Sequence, residues 1–285
     1  LKTLIAVMAF TLLLGPGCAT HKIAPKGGAS SPENATAPKD EAYGPGGIAA
    51  PPSPVYGPEP TLIRPVTLVL GPGQARGFAQ AGVLRALVEN KIQIGAIYGI
   101  GIGSLLGAIY AKDGNINHFE WDLQNFNADA FANKASLLDR FLSLQKMSQS
   151  PLGEKLKQEF GSLDISAMKI PLKIAISRPE DAEHTVMDKG PLVQILNEAL
   201  KDMNTPETNA ALEQVLCNEA RAQYGSPVVL VETAGTPIDP SSADLVIRPD
   251  LSDIAPHDYE KRADAAFRGK TAMNQRMAEL KGKSQ

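Results

Sequence analysis

Two short apolar runs, each breaking into a glycine-rich turn and then a helical pattern, restrict the fold of this chain more than any other feature. Val66-Thr67-Leu68-Val69-Leu70 ends at Gly71-Pro72-Gly73-Gln74-Ala75-Arg76-Gly77. The helix predicted from Phe78 to Glu89 carries Val83, Leu84 and Leu87 at helical spacing. Ile94 to Tyr98 is the next strand, ending at Gly99-Ile100-Gly101-Ile102-Gly103, and another helix opens at Ser104-Leu105-Leu106-Gly107-Ala108. Strands that are apolar throughout are buried on both sides, because helices cover both faces of a parallel sheet. The alternation predicts an α/β, three-layer fold with a mainly parallel sheet and helices on both faces.

The rest of the chain continues the alternation. Ile170 to Ser177 is a strand, and Glu183 to Met187 returns beside it. Gly190 to Leu200 is a helix. Pro227 to Glu232 and Leu245 to Ile247 are short strands, and Asp258 to Lys281 is a closing helix. Phe119 to Phe160 reads as helical and amphipathic, broken near Ser150-Pro151. Residues 65–285 are expected to form one α/β domain.

The two glycine turns resemble those of patatin-like acyl hydrolases, which carry G-G-G-x-R-G after the first strand and G-x-S-x-G after the second. The match is collinear from Val66 to Tyr110. It continues more weakly through Ala243 to Leu251, which resembles the family's late strand. The resemblance implies a serine–aspartate dyad acting on lipid esters. A serine hydroxyl needs a base to become a nucleophile, and a sharp elbow projects it out of the sheet. Gly101 stands at the serine's position, with Gly99 and Gly103 as the flanking glycines, so the nucleophile slot is vacated. The family's aspartate lies in a D-G-x motif after the Gly190 to Leu200 helix, and no such motif occurs from Lys201 to Val229. Asp188-Lys189-Gly190 lies before that helix and reads as its cap, with Pro191 an early helical residue. Of the oxyanion loop, Gly71, Gly73, Arg76 and Gly77 remain. Pro72 has no amide hydrogen, and Gln74 replaces the third glycine.

Substitute nucleophiles are scarce. Ser104 is three residues past the elbow, nearly a full helical turn away, and reads as a small residue hydrogen-bonded to backbone. Cys217 reads as a free buried thiol. His118, His184 and His257 show no metal-ligand spacing, so neither metal nor cofactor is expected. The net charge of −3 comes without a basic patch or aromatic ladder, which argues against nucleic acid as a partner.

The N-terminal residues read as an address. Lys2 precedes an apolar run from Leu4 to Leu14, too short to span a bilayer comfortably. Leu14-Gly15-Pro16-Gly17-Cys18-Ala19 resembles a bacterial lipobox, with Gly15 where an aliphatic residue is usual. The expectation is a signal peptide over residues 1–17, a lipidated Cys18, and a Pro/Gly/Ala-rich tether over 18–64 that cannot fold on its own. Acyl chains on Cys18 make the membrane a partner. Ala19 points to the outer membrane, periplasmic side.

Three functional readings follow. The first is a non-catalytic domain that binds a lipid or an envelope protein. The second is an acyl hydrolase with a displaced nucleophile. The third is a nucleotide-binding module, since Gly71-Pro72-Gly73 and Gly77 join a strand to a helix, although no acidic residue ends the Ile94 to Tyr98 strand.

Overall fold

The computed structural model describes residues 64–131, 150–178, 183–201, 206–235 and 239–285. The expected signal peptide, Cys18 and the tether up to residue 63 lie outside the described residues. Strands β1 (Val66–Leu70), β2 (Ile94–Ile100), β3 (Leu172–Arg178), β4 (Glu183–Met187), β5 (Val228–Val231) and β6 (Leu245–Ile247) form one sheet in the order β4-β3-β2-β1-β5-β6. All neighbours are parallel except β3 and β4, which pair antiparallel. The sheet is therefore mixed but mostly parallel, as expected. The late strand spans Leu245–Ile247, as expected.

Successive side chains of a strand point to opposite faces, and the core divides accordingly. Leu68, Leu70, Ile97, Ile174, Val229 and Ile247 point to one face. There they meet helices α1 (Ala79–Glu89), α2 (Ile102–Ala111), α6 (Leu192–Lys201) and α8 (Arg262–Lys283). Val69, Tyr98, Ile100 and Leu230 point to the other, under α7 (Pro206–Tyr224) through Leu212, Leu216 and Ala220. Helices α1 and α8 approach closely at two glycines. A Cβ on Gly82 would fall 1.7 Å from the Ala266 carbonyl oxygen, and one on Gly269 would fall 1.8 Å from that of Ala79.

Between β2 and β3 lie α3 (Ile116–Leu123), α4 (Ala128–Phe131) and α5 (Pro151–Phe160). The continuous helical stretch expected from Phe119 is interrupted at residues 124–127, where Asn127 Oδ1 accepts from the Ala130 amide. Asn is a strong N-cap, so the chain restarts a helix there. The break at Ser150-Pro151 is an N-cap too: Ser150 Oγ accepts from the Gly153 amide at 3.0 Å, with Pro151 in the first turn. Residues 132–149 lie outside the described residues.

Candidate functional site

The chain runs from β1 outward to β2 and β3, then returns to place β5 on the other side of β1. Such a reversal opens a crevice at the carboxyl ends of the strands. Both glycine turns meet there.

At the elbow, Gly101 has φ 55 and ψ −122, a conformation that side chains other than glycine adopt only under strain. A Cβ built there has room, its nearest neighbour being Pro72 Cβ at 3.6 Å. The flanking glycines have no such room. A Cβ on Gly99 would lie 2.5 Å from Ser104 Cα, and one on Gly103 would lie 2.3 Å from the Leu70 carbonyl oxygen. They let α2 press against β1 and β2.

The other turn is braced by side chains. Gln80 Nε2 donates to the Gly71 carbonyl at 2.5 Å and to Thr233 Oγ1 at 3.3 Å. Thr233 Oγ1 donates to the Pro72 carbonyl at 2.6 Å. Arg76 Nε donates to the Ile254 carbonyl at 2.5 Å, and the Ala75 amide to that of Pro256 at 2.8 Å. Arg76 thus ties the turn to the segment before α8. Gln74, where the family pattern has its third glycine, has a left-handed backbone with φ 52. The two turns interlock, since a Cβ on Gly77 would lie 2.1 Å from Ile102 Cγ2.

Glu213 of α7 is fully buried. Its Oε1 lies 2.1 Å from where a Gly71 Cβ would be, so the absence of a side chain at Gly71 is what admits the carboxyl group. Next to β5, Glu232 is also buried and lies 3.7 Å from Arg248, while its Oε1 accepts from the Gly235 amide at 2.5 Å.

The substitute residues weighed from sequence are not gathered at the elbow. Ser104 is fully buried in α2. Its amide donates to the Gly101 carbonyl at 3.0 Å, but its Oγ has no partner among the described residues, contrary to the expected backbone hydrogen bond. Asp188 does not cap the helix after it: it is exposed and 4.0 Å from Lys173 Nζ. The Gly190 amide, ahead of the helix, donates instead to Asp164 Oδ2 at 3.0 Å. Cys217 is buried in α7, and burial first, then Glu213, pushes its thiol up to about 12, so it stays protonated. His118 is exposed and 2.5 Å from Asp113; His184 and His257 are exposed as well. No cluster of metal-ligating side chains occurs among the described residues.

Gln80, Glu213 and Thr233 escaped the sequence reading. A signal for Glu213 existed. It lies beside Leu212, Leu216, Cys217 and Ala220 on one helical face, so the apolar period of α7 places a carboxyl in the core.

Comparison with known proteins places this arrangement. Over 53 residues the chain is 55% identical to lysophospholipase nte1 of Aspergillus niger, covering 19% of this chain and 4% of that protein. It is 51% identical over 53 residues to lysophospholipase NTE1 of Coccidioides immitis, covering 19% and 3%. The chain thus spans a small fraction of the length of these relatives. ExoU of the Pseudomonas aeruginosa type III secretion system, solved in complex with SpcU, superposes with a TM-score of 0.45 at 15% identity, covering 76% of this chain and 53% of that one. The family model for patatin-like phospholipases matches residues 68–248, from within β1 to just past β6 and across both glycine turns. That span exceeds half of the 285 residues, and the chain accordingly belongs to the patatin-like phospholipase family.

Proposed function

We propose that this member of a lipid hydrolase family binds an acyl lipid without hydrolysing it. The observation that carries the reading is Gly101: the strained turn and the open side-chain space are present, and the slot holds no oxygen. The Ser104 hydroxyl has no hydrogen-bond partner among the described residues, and Cys217 is held as a thiol. Binding without the covalent step is what remains when a pocket keeps its shape and loses its nucleophile.

The test has two arms. Purified protein is assayed on short-chain nitrophenyl esters, beside Gly101→Ser and Ser104→Ala. No turnover is expected from any of the three, because a restored hydroxyl still lacks its aspartate. Turnover abolished by Ser104→Ala supports the alternative, an acyl hydrolase with a displaced nucleophile, and refutes this reading. In the second arm a fluorescent fatty acid is titrated. Gly101→Leu fills the slot and is expected to weaken binding by roughly tenfold, about 1.4 kcal/mol.

The lipoprotein address belongs to the same proposal. Acyl chains on Cys18 hold the domain at a bacterial envelope, on the periplasmic side of the outer membrane. In a bacterial host, an alkyne-tagged palmitate is expected to label the chain and Cys18→Ser to remove both label and membrane association. A labelled Cys18→Ser variant refutes the anchor. The nucleotide-binding reading draws no support from the crevice, because the Glu213 carboxyl lies against Gly71 where a diphosphate needs amide donors.

A further inference from the structure

Away from the glycine turns, a groove of about 420 Å³ opens between α1, α3 and α8. Its floor is apolar, built by Phe78, Ala81, Leu123 and Ala266. It exists because Gly82 and Gly269 draw α1 and α8 together below it. Phe267 lines the groove and is 69% exposed, and Trp121, next to the lining residue Glu120, is 70% exposed. The other exposed large hydrophobics among the described residues, Leu163 and Val215, reach only 36% and 44%. The two most exposed large hydrophobic side chains thus belong to the helices that border one groove, Phe267 in its lining and Trp121 on α3, which supplies Glu120, Leu123 and Gln124 to it.

The charges around the groove do not cancel. Arg85 is held by Glu89 and Glu120, and Lys270 by Glu89. Arg262 donates only to the Tyr259 carbonyl, at 3.4 Å, and no carboxylate pairs with it among the described residues. Three cations thus face two carboxylates, and the surplus charge is that of Arg262. An occupant that complements this surface is apolar against Phe267 and anionic beside Arg262.

We propose that the domain rests on an anionic lipid surface through this groove. Phe267 and Trp121 enter the headgroup layer and Arg262 meets a lipid phosphate. Trp is favoured at such an interface because its ring is apolar and its N–H is polar. Long cations at the rim keep their stems in the apolar layer and their charge in water. The cores of protein–protein interfaces are depleted of Lys and Glu, whereas Lys270 and Glu120 line this groove. No helix among the described residues is long and apolar enough to cross a membrane, so this contact is peripheral. The proposal does not depend on whether the elbow hydrolyses esters.

Trp121 is the single tryptophan of the chain, so its emission reports on this face even if other segments also bind lipid. The full chain is mixed with phosphatidylcholine vesicles, with or without phosphatidylglycerol, and with vesicles whose acyl chains are brominated. The expected result is a blue shift with anionic vesicles, quenching by the brominated chains, and weakening of both by salt. Arg262→Glu is expected to weaken the response by roughly tenfold or more, and Phe267→Ala to remove most of the quenching. Both side chains are outside the core, and circular dichroism checks that each variant is folded. Emission unchanged by vesicles, or a response equal in both variants, overturns the proposal; the first outcome assigns the groove to a protein partner instead.

Discussion

Gly99, Gly101 and Gly103 share one turn but serve different physical ends. At Gly103 a side chain meets backbone: its Cβ would lie 2.3 Å from the Leu70 carbonyl oxygen. At Gly101 the space is open and only the backbone angles object. Gly101→Ala is therefore expected to cost about 1–3 kcal/mol, the strain of an unfavourable backbone conformation. Gly103→Ala must push α2 off the sheet and is expected to exceed that range. Denaturant midpoints at unchanged m-value measure both. An equal cost for the two would show that the turn is not locked by the helix behind it. Gly101→Ser carries the same strain and is expected to cost a similar amount. The spacing of these glycines was legible in the sequence, since sharp turns between strand and helix need them at fixed positions. Their bracing by Thr233 was not, because Thr233 and Pro72 lie 161 positions apart and leave no local pattern.

Helix α8 illustrates how packing, not propensity, sets the value of a glycine. Gly269 lies where α8 meets α1, and a Cβ there would sit 1.8 Å from the Ala79 carbonyl oxygen. Gly282, near the end of the same helix, has nothing within 4 Å of the equivalent point. Gly269→Ala is expected to destabilise by about 1–3 kcal/mol through overpacking. Gly282→Ala is expected to stabilise by about 0.5–1 kcal/mol at most, since helical glycine loses more entropy than alanine. Thermal melts of the two variants check the opposite signs. At this scale the sequence was read well where period and punctuation agreed, as in β1, α1 and β2. From Phe119 to Phe160 the helical character and the break at Ser150-Pro151 are legible, whereas the restart at Asn127 is not, because it interrupts no apolar pattern. Around Cys217 a polar helical stretch is legible, but the extent and buried face of helix α7 are not, because its polar outer face dilutes the stripe of Leu212, Leu216 and Ala220.

Across the whole molecule the two faces of the sheet differ in chemistry. The face under α1, α2 and α8 is largely apolar, with Gln80 and Ser104 buried near the glycine turns, whereas the face under α7 buries Tyr98, Cys217 and Glu213 with its aliphatic side chains. The mostly parallel layout was legible because the strands are apolar on both sides. This asymmetry was not, since it depends on which helix covers which face. It has a consequence at high pH. Burial, then Glu213, raises the Cys217 thiol from 9.0 to about 12. Burial, then Glu219, raises the Tyr98 hydroxyl too, which donates to Gln223 Oε1 at 3.0 Å. Both groups are neutral when protonated, and the folded state holds their protons more tightly than the unfolded chain does. Their contribution is complete below the unfolded thiol value of 9.0 and is lost progressively as the pH rises toward about 12. Urea midpoints are therefore expected to be flat from about pH 6 to about pH 9 and to fall above it. Cys217→Ala removes the thiol's share of that fall, and a further Tyr98→Phe change flattens the curve again. An alkaline slope identical in wild type and double variant would mean that the α7 face opens before either group titrates.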